Sequence, residues 1–284
     1  MNSAELNVDD HDRDSAGLCY VYPVISRRAG GVSVGINLNI NNACNWRCVY
    51  CQVPDLTLGS PPPLDLVLLE NELRTFLHEL LHGDFMQQRV PEVARRINDI
   101  ALSGNGEPTS AKEFLQVVLL VGKLKHELSL PTQIKLVLIT NGSLMHRSYV
   151  QQGLFQMSKL NGEIWFKLDR ASTLGMKTIN HTQLSLEKVR KNLVTAIRLC
   201  PTWLQTCWFS LDGTAPEKSE EDAYLDFIAG LLGDKIYPKG VLLYTLARPS
   251  LQPESLRLGK LSEQQMEAFA ERIRILGVTV KISL

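Results

Sequence analysis

The sequence predicts an α/β fold, a parallel sheet in a single domain that closes into a partial barrel. Short apolar segments of strand length alternate with longer segments of helical period, which is typical of a parallel sheet with crossover helices. Six such strand–helix units can be counted, and eight are needed for a closed α/β barrel, so the count favours a partial one. No internal repeat, low-complexity segment or linker divides the 284 residues.

The first predicted strand has the most regular alternation. From Val34 to Ile40 the apolar side chains occupy one face. Gly35, Asn37 and Asn39 occupy the other, and Asn41 continues it directly after. This small, amide-rich face suits a barrel interior that holds a polar ligand. Residues 1–33 are predicted to form an N-terminal arm. We expect its first part, which is acidic and polar, to be disordered. Residues 34–284 predict the barrel domain.

The remaining elements follow in regular order, and Ser185 and Ser262 predict the N-caps of two helices. Because the chemistry of α/β barrels lies at the carboxyl ends of the strands, the residues that follow each strand are candidate site residues. The predicted helices cover residues 64–81, 110–128, 147–157, 185–199, 220–232 and 262–276, and the predicted further strands cover 99–102, 134–140, 163–168, 203–210, 241–245 and 278–282.

Composition excludes several classes of protein. Hydrophobic residues make up 44% and charged residues 21% of the chain, which is ordinary for a globular protein with a full core. Thirty basic residues balance thirty acidic ones, which argues against a broad nucleic-acid-binding surface. No segment approaches the 18–20 apolar residues of a membrane span, and the acidic N-terminus lacks a secretory apolar segment. We therefore expect a cytoplasmic location and no membrane partner.

Three of the six cysteines, Cys44, Cys48 and Cys51, stand in one C-x3-C-x2-C segment. Such a cluster of thiols in an intracellular chain indicates zinc or iron–sulfur binding. A structural zinc site needs four protein ligands, but the next cysteine or histidine downstream is His78. An iron–sulfur cube takes four thiolates, so three would leave one iron open to a substrate atom. Zinc binding and an inert buried set of thiols are the alternatives.

This triplet, with Tyr50 before its last cysteine, resembles the signature of the radical S-adenosylmethionine (radical SAM) enzymes. The resemblance implies a partial (β/α)6 TIM-like barrel and a [4Fe-4S] cluster held by Cys44, Cys48 and Cys51. It also implies that the open iron binds S-adenosylmethionine, whose reductive cleavage gives methionine and a 5′-deoxyadenosyl radical. That radical would abstract hydrogen from a substrate, and a flavodoxin- or ferredoxin-type electron donor is implied.

Residues 103–109, Ser-Gly-Asn-Gly-Glu-Pro-Thr, are similar to the Gly-Gly-Glu segment with which radical SAM enzymes bind the methionine amino group. Asn105 stands where that pattern has its first glycine. The alternative to a cofactor role for residues 103–109 is a generic turn. The alternative for Asn141 is an Asn-Gly turn with Gly142, and for Lys167 and Asp169 it is a salt bridge between them. The residues predicted to bind the cofactor are Tyr50, Gly104, Asn105, Gly106, Glu107, Asn141, Lys167, Asp169 and Arg248.

Several segments resemble the radical SAM subgroup related to wyosine-base synthesis, namely residues 103–109, 138–142, 167–169 with Ile179-Asn180 shortly after, and 244–249. The tRNA-modifying members of that subgroup carry further cysteines for a second cluster and a basic surface, and this chain has neither. The resemblance therefore implies the chemistry but leaves the substrate open among a small molecule, a peptide and tRNA. From another class, a non-catalytic iron–sulfur or zinc-binding regulator is the alternative.

Overall fold

A computed structural model of the chain describes residue 6, residues 17–25 and residues 30–284. The predicted disorder of the first residues therefore falls almost entirely outside the described residues. Three short 3₁₀ helices cover Glu92–Ala94, Pro108–Ser110 and Ser255–Arg257. The α-helices and β-strands of the described chain are β1 (Val21–Ile25), β2 (Val32–Ile36), β3 (Ala43–Cys44), β4 (Thr57–Leu58), α1 (Leu66–His82), α2 (Phe85–Arg89), β5 (Ile97–Leu102), α3 (Phe114–Glu127), β6 (Lys135–Thr140), α4 (Ser148–Lys159), β7 (Gly162–Lys167), α5 (Thr173–Asn180), α6 (Leu186–Leu199), β8 (Thr202–Cys207), β9 (Ser210–Leu211), α7 (Lys218–Gly233), β10 (Gly240–Tyr244), β11 (Leu258–Gly259), α8 (Glu263–Ile275) and β12 (Val280–Ser283).

A mostly parallel sheet forms the centre of the fold. Its strand order is β1-β2-β5-β6-β7-β8-β10-β12. Strands β2, β5 and β6 pair in parallel, and so do β7, β8, β10 and β12. Strand β1 is antiparallel to β2, so the described part of the predicted arm is an edge strand. The predicted α/β class with its parallel strands is confirmed.

The chain divides into two compact units, and the first contains the described residues up to 45 with residues 59–139 and 147–163. Helix α1 begins after Asp65, whose carboxylate accepts the N–H of Leu68 at 2.9 Å and caps the helix. Helices α3 and α4 pack together through fully buried side chains such as Phe114 and Leu154.

The second unit contains residues 46–58, 140–146 and 164–284. Its core is aromatic: the Trp208 ring stacks on Phe269 with centroids 4.2 Å apart, and Tyr224 packs edge-on against both. The serine N-cap predicted at α8 is present, and it is part of a capping box in which Ser262 accepts the N–H of Gln265 and the Gln265 side chain accepts the N–H of Ser262.

The predicted strand over Val34–Ile40 is wrong in its bounds, because β2 ends at Ile36. The asparagines that follow bond to the local backbone instead of continuing a strand. The N–H of Asn39 donates to Asn37 Oδ1 at 3.1 Å, and Asn42 adopts a left-handed φ of 55°. The alternating pattern therefore ends in a loop that leads to the cysteines.

Two other bounds differ from the prediction by three residues or more. The helix expected from residue 110 begins at Phe114 after the 3₁₀ turn Pro108–Ser110, and the strand expected to reach residue 210 ends at Cys207. Helix α5 was not predicted. No helix in the described parts of the chain has the length and apolar character that a membrane crossing requires.

Candidate functional site

The three cysteines of the predicted cluster follow β2 in the chain. Cys44 lies in β3. The N–H of Cys51 donates to the Cys48 carbonyl oxygen at 3.0 Å, a turn that brings Cys48 and Cys51 close to each other. All three cysteines are half-buried, and none of them forms a disulfide. Among the described residues, no three His, Cys, Asp or Glu side chains form a ready metal site. The ligand role of the cysteines stays a prediction.

A segment of about seven residues after β10 binds the backbone of the cysteine loop within the second unit. Ser250 Oγ donates to the Val49 carbonyl oxygen at 2.7 Å and lies 3.1 Å from that of Cys51. The N–H of Leu251 also donates to the Cys51 carbonyl oxygen, at 2.9 Å. Gln252 Nε2 lies 3.0 Å from the Val53 carbonyl oxygen and donates to it. Three donors of one segment, Ser250 Oγ, Leu251 N–H and Gln252 Nε2, therefore fix the course of the loop through its carbonyl oxygens.

The same segment meets the loop through side chains. Arg47, between the first two cysteines, forms a bidentate ion pair with Glu254 at 2.7 and 2.9 Å. His181 lies 3.0 Å from the same guanidinium. The predicted cofactor residue Arg248 donates through Nη1 to Gln52 Oε1 at 3.4 Å, directly after Cys51. The structure therefore places Arg248 beside the loop.

Two predicted residues, Lys167 and Asp169, meet through Tyr50. Tyr50 OH donates to Asp169 Oδ2 at 2.5 Å, and Lys167 Nζ donates to Tyr50 OH at 3.2 Å. Burial raises the pKa of Tyr50 well above its usual value, and the Asp169 carboxylate raises it further. Tyr50 is therefore a neutral hydrogen-bond donor, and it replaces the direct salt bridge that was an alternative for the strand end.

Asn180, at the end of α5, joins this network to a cysteine. Its Nδ2 donates to Asp169 Oδ2 at 2.7 Å and to Cys48 Sγ at 3.3 Å. The other carboxylate oxygen, Asp169 Oδ1, accepts the N–H of Cys207 at 2.8 Å. Tyr50, Asp169, Asn180 and Cys48 thus form one connected polar network in the second unit, which we call the Asp169 network.

The turn after β5, in the first unit, contains four of the predicted cofactor residues. The N–H of Asn105 donates to Asn37 Oδ1 at 3.0 Å, and Asn105 Nδ2 donates to Asn42 Oδ1 at 2.6 Å. Asn105 Oδ1 is buried and has no hydrogen-bond partner in the described structure. A buried acceptor without a donor is costly, so this oxygen indicates a place for a donor from a ligand.

Glu107 lies in the same turn and is only 2% exposed. Its Oε1 accepts the N–H of Thr109 at 3.1 Å and the Thr109 hydroxyl at 2.5 Å, and so caps the 3₁₀ turn Pro108–Ser110. The Glu107 carboxylate therefore has a structural role in the turn. The predicted contact with an amino group would come in addition to it.

Two glycines let the turn approach the residues that precede Cys44. Gly104 has a φ of 136°, and a β-carbon there would meet Asn37 Oδ1 at 2.4 Å. A β-carbon at Gly106 would meet the Ala43 carbonyl oxygen at 2.1 Å. The predicted cofactor turn thus lies directly against the residue before Cys44, within the first unit.

The remaining candidates have structural partners. Asn141 Oδ1 accepts the N–H of Ser143 at 3.0 Å, the side-chain turn that was its alternative interpretation. Cys200 and Cys207 are buried, and Cys19 is exposed. The sequence pointed to Asn180 only as part of a segment that resembles the wyosine-related subgroup and gave it no site role, because its contact to Cys48 spans 132 positions.

No family model matches the chain, but known proteins are similar to it in sequence. A protein described as GTPase Obg from Brachyspira hyodysenteriae is 26% identical over 252 residues, which are 86% of this chain and 32% of that protein. A UPF0026 protein of Helicobacter pylori is 24% identical over 246 residues, which are 86% of this chain and 70% of that protein. The chain thus spans only 32% of the length of the first relative.

Three solved structures share the fold. TYW1 with a lysine–pyruvate adduct bound has a TM-score of 0.56 and 11% identity, covering 87% of this chain and 74% of TYW1. A radical SAM methyltransferase from Sphaerobacter thermophilus has a TM-score of 0.58 and 12% identity, covering 93% and 68%. Streptococcus suis SuiB bound to S-adenosylmethionine has a TM-score of 0.55 and 11% identity, covering 89% and 47%. The resemblance to radical SAM enzymes is thereby confirmed at the level of the fold.

Proposed function

We propose that this chain is a radical SAM enzyme whose [4Fe-4S] cluster is held by Cys44, Cys48 and Cys51. The observation that carries the proposal is the donor set. Three cysteines without a disulfide lie within eight residues, on a loop that follows the first parallel strand of a chain with the radical SAM fold. Three thiolates leave one iron of a cube without a protein ligand, where S-adenosylmethionine can bind.

The turn after β5 would hold the methionine end of S-adenosylmethionine. Asn105 Oδ1 is a buried acceptor without a partner, and Glu107 supplies a buried carboxylate beside it in sequence. Both fit the donors of an ammonium group. Because Gly106 has no side chain, the turn lies against residue 43, next to the first predicted ligand.

When bound, the cluster and S-adenosylmethionine would supply a 5′-deoxyadenosyl radical through one-electron reduction. The chain's own residues would bind and orient the cofactor and exclude water from it. The segment after β10 would hold the loop in place through Ser250 and Gln252. A flavodoxin- or ferredoxin-type protein would donate the electron, and the cytoplasm would be the natural location. The substrate is a small molecule, a peptide or tRNA.

Anaerobic reconstitution with iron and sulfide, followed by dithionite reduction with S-adenosylmethionine, tests the proposal. Formation of 5′-deoxyadenosine should require Cys44, Cys48 and Cys51, and each Cys→Ala variant should lose bound iron and product while its fold is retained. The exposed Cys19 serves as the matched control, and Cys19→Ala should behave as the unaltered chain does. A cluster that forms but yields no product, even with cell extract added as a source of substrate, would contradict the proposal and favour a non-catalytic regulator.

A further inference from the structure

In the Asp169 network, Cys48, a predicted cluster ligand, accepts a hydrogen bond from Asn180, a residue outside the cysteine motif. Asn180 is 2% exposed, and its amide nitrogen lies 2.7 Å from Asp169 Oδ2 and 3.3 Å from Cys48 Sγ. An amide nitrogen carries two hydrogens, so one can be donated to each acceptor. The contact is made by the last residue of α5, a helix whose first turn is capped by Ser172.

Asp169 determines which end of the Asn180 amide faces the sulfur. If the amide were turned over, its oxygen would face the Asp169 carboxylate and the Cys48 sulfur, and two acceptors would meet at each contact. The carboxylate is itself held in position, since Tyr50 OH donates to Oδ2 at 2.5 Å and the N–H of Cys207 donates to Oδ1 at 2.8 Å. The N–H to sulfur orientation is therefore set by the surrounding network.

We propose that Asn180 is a positioning residue that donates an N–H···S bond to Cys48 and raises the reduction potential of the cluster that Cys48 holds. Asp169 orients the donor. This inference rests on the proposed function, because it needs a cluster on Cys48. Hydrogen bonds to the sulfurs are among the factors that set the potential of an iron–sulfur cluster. The reduced cluster carries one more negative charge, so a donor stabilises the reduced form more than the oxidised form.

The test compares the reconstituted chain with Asn180→Leu, which has a similar volume and no donor, and with Asn180→Asp, which replaces the donor by an acceptor. The matched control is Tyr224→Phe. It removes a buried hydroxyl in the same unit whose hydrogen-bond partner, Thr206 Oγ1 at 2.6 Å, is not a member of the Asp169 network. Iron and sulfide content, thermal midpoint and the midpoint potential from an EPR-monitored redox titration are measured for each protein.

We expect equal iron content and a more negative midpoint potential in both Asn180 variants, with no shift in Tyr224→Phe. In protein labelled with ¹⁵N, pulsed EPR of the reduced cluster should detect a weakly coupled side-chain nitrogen that disappears in Asn180→Leu. A merely structural role for Asn180 would lower the thermal midpoint without moving the potential. If Asn180→Leu does not fold, Asn180→Asp, which keeps the size and shape of the side chain, gives the same test.

The outcomes separate this inference from the proposed function. Equal potentials in all four proteins overturn the inference, and 5′-deoxyadenosine from the unaltered chain would still support the proposed function. A potential shift without any 5′-deoxyadenosine, even with cell extract added, supports the inference, which needs only the cluster, and contradicts the proposed enzyme activity. An unaltered chain that takes up no cluster overturns both.

Discussion

Gly106 lies in contact with Ala43: a β-carbon at Gly106 would meet the Ala43 carbonyl oxygen at 2.1 Å. That oxygen already accepts a hydrogen bond from Asn39 Nδ2 at 2.9 Å. The turn after β5 and the start of the cysteine loop are therefore in close contact in the first unit, and neither can move toward the other.

We expect Gly106→Ala to displace this turn. Overpacking of this kind lowers the free energy of unfolding by about 1–3 kcal/mol. A displacement of about 1 Å in a positioning element can reduce a reaction rate roughly 10²-fold. Cleavage of S-adenosylmethionine should fall accordingly, measured as 5′-deoxyadenosine formed per bound cluster.

Gly230→Ala is the matched control, because a β-carbon at this helical glycine of α7 meets no atom within 4 Å. This variant should gain about 0.5–1 kcal/mol of stability, since alanine is the better helix former. Equal behaviour of the two variants would show that the contact between Gly106 and Ala43 does not constrain the turn.

Glu107 allows its structural and its binding role to be separated. Glu107→Gln keeps an oxygen that can accept from Thr109, so the thermal midpoint should change little. It removes the negative charge, and the loss of a charge-assisted bond of about 1.5–3 kcal/mol should weaken S-adenosylmethionine binding roughly 10- to 150-fold. Isothermal titration with the reconstituted protein measures the binding.

Glu107→Ala is the companion variant. It removes the cap of the 3₁₀ turn as well, which should lower the free energy of unfolding by about 1 kcal/mol or more. If Glu107→Gln binds S-adenosylmethionine as tightly as the unaltered chain does, Glu107 has the structural role alone.

Arg170 should be sensitive even to replacement by lysine. Its guanidinium lies 4.1 Å from the Trp208 ring centroid and 5.4 Å from that of Phe209, and Nη1 donates to the carbonyl oxygens of Asp169 and Cys207. An ammonium group cannot stack on a ring and span two acceptors in this way. We expect Arg170→Lys to lower the free energy of unfolding by about 1.5–3 kcal/mol.

Urea denaturation under anaerobic conditions measures this loss. The control is Arg190→Lys, at an exposed ion pair with Asp234, where the change should stay within about 1 kcal/mol. If Arg170→Lys loses no more unfolding free energy than Arg190→Lys, the contacts of the Arg170 guanidinium with the Trp208 and Phe209 rings contribute little to stability.

The parts of the fold that depend on neighbouring residues could be predicted from the sequence. The parallel strands follow from local apolar patterns, and the capping box of Ser262 and Gln265 lies within four residues. The end of β2 could not be placed by the alternating pattern, because Asn37 and Asn39 continue the alternation, but Asn37 Oδ1 accepts the N–H groups of Asn39 and of the distant Asn105.

The same distinction applies to the site. The cysteines and the turn after β5 were found as contiguous motifs. The contact of Asn180 with Cys48 and the bonds of Ser250 to the loop span 132 and about 200 positions. Asparagine and serine are common in turns and caps, so nothing in its local sequence distinguishes Ser250 from a structural residue, and the resemblance that includes residues 179–180 did not indicate a contact with Cys48.

The hydrogen bonds that fix the cysteine loop also have a consequence for biosynthesis, because their donors are Ser250, Leu251 and Gln252. The carbonyl groups of Val49, Cys51 and Val53 bond to residues that leave the ribosome about 200 residues later. At roughly 5–20 residues per second, the loop would wait some ten seconds or more for these partners. The three thiols are therefore exposed without their final support during most of translation, and cluster insertion into a nascent chain would meet an unfixed loop.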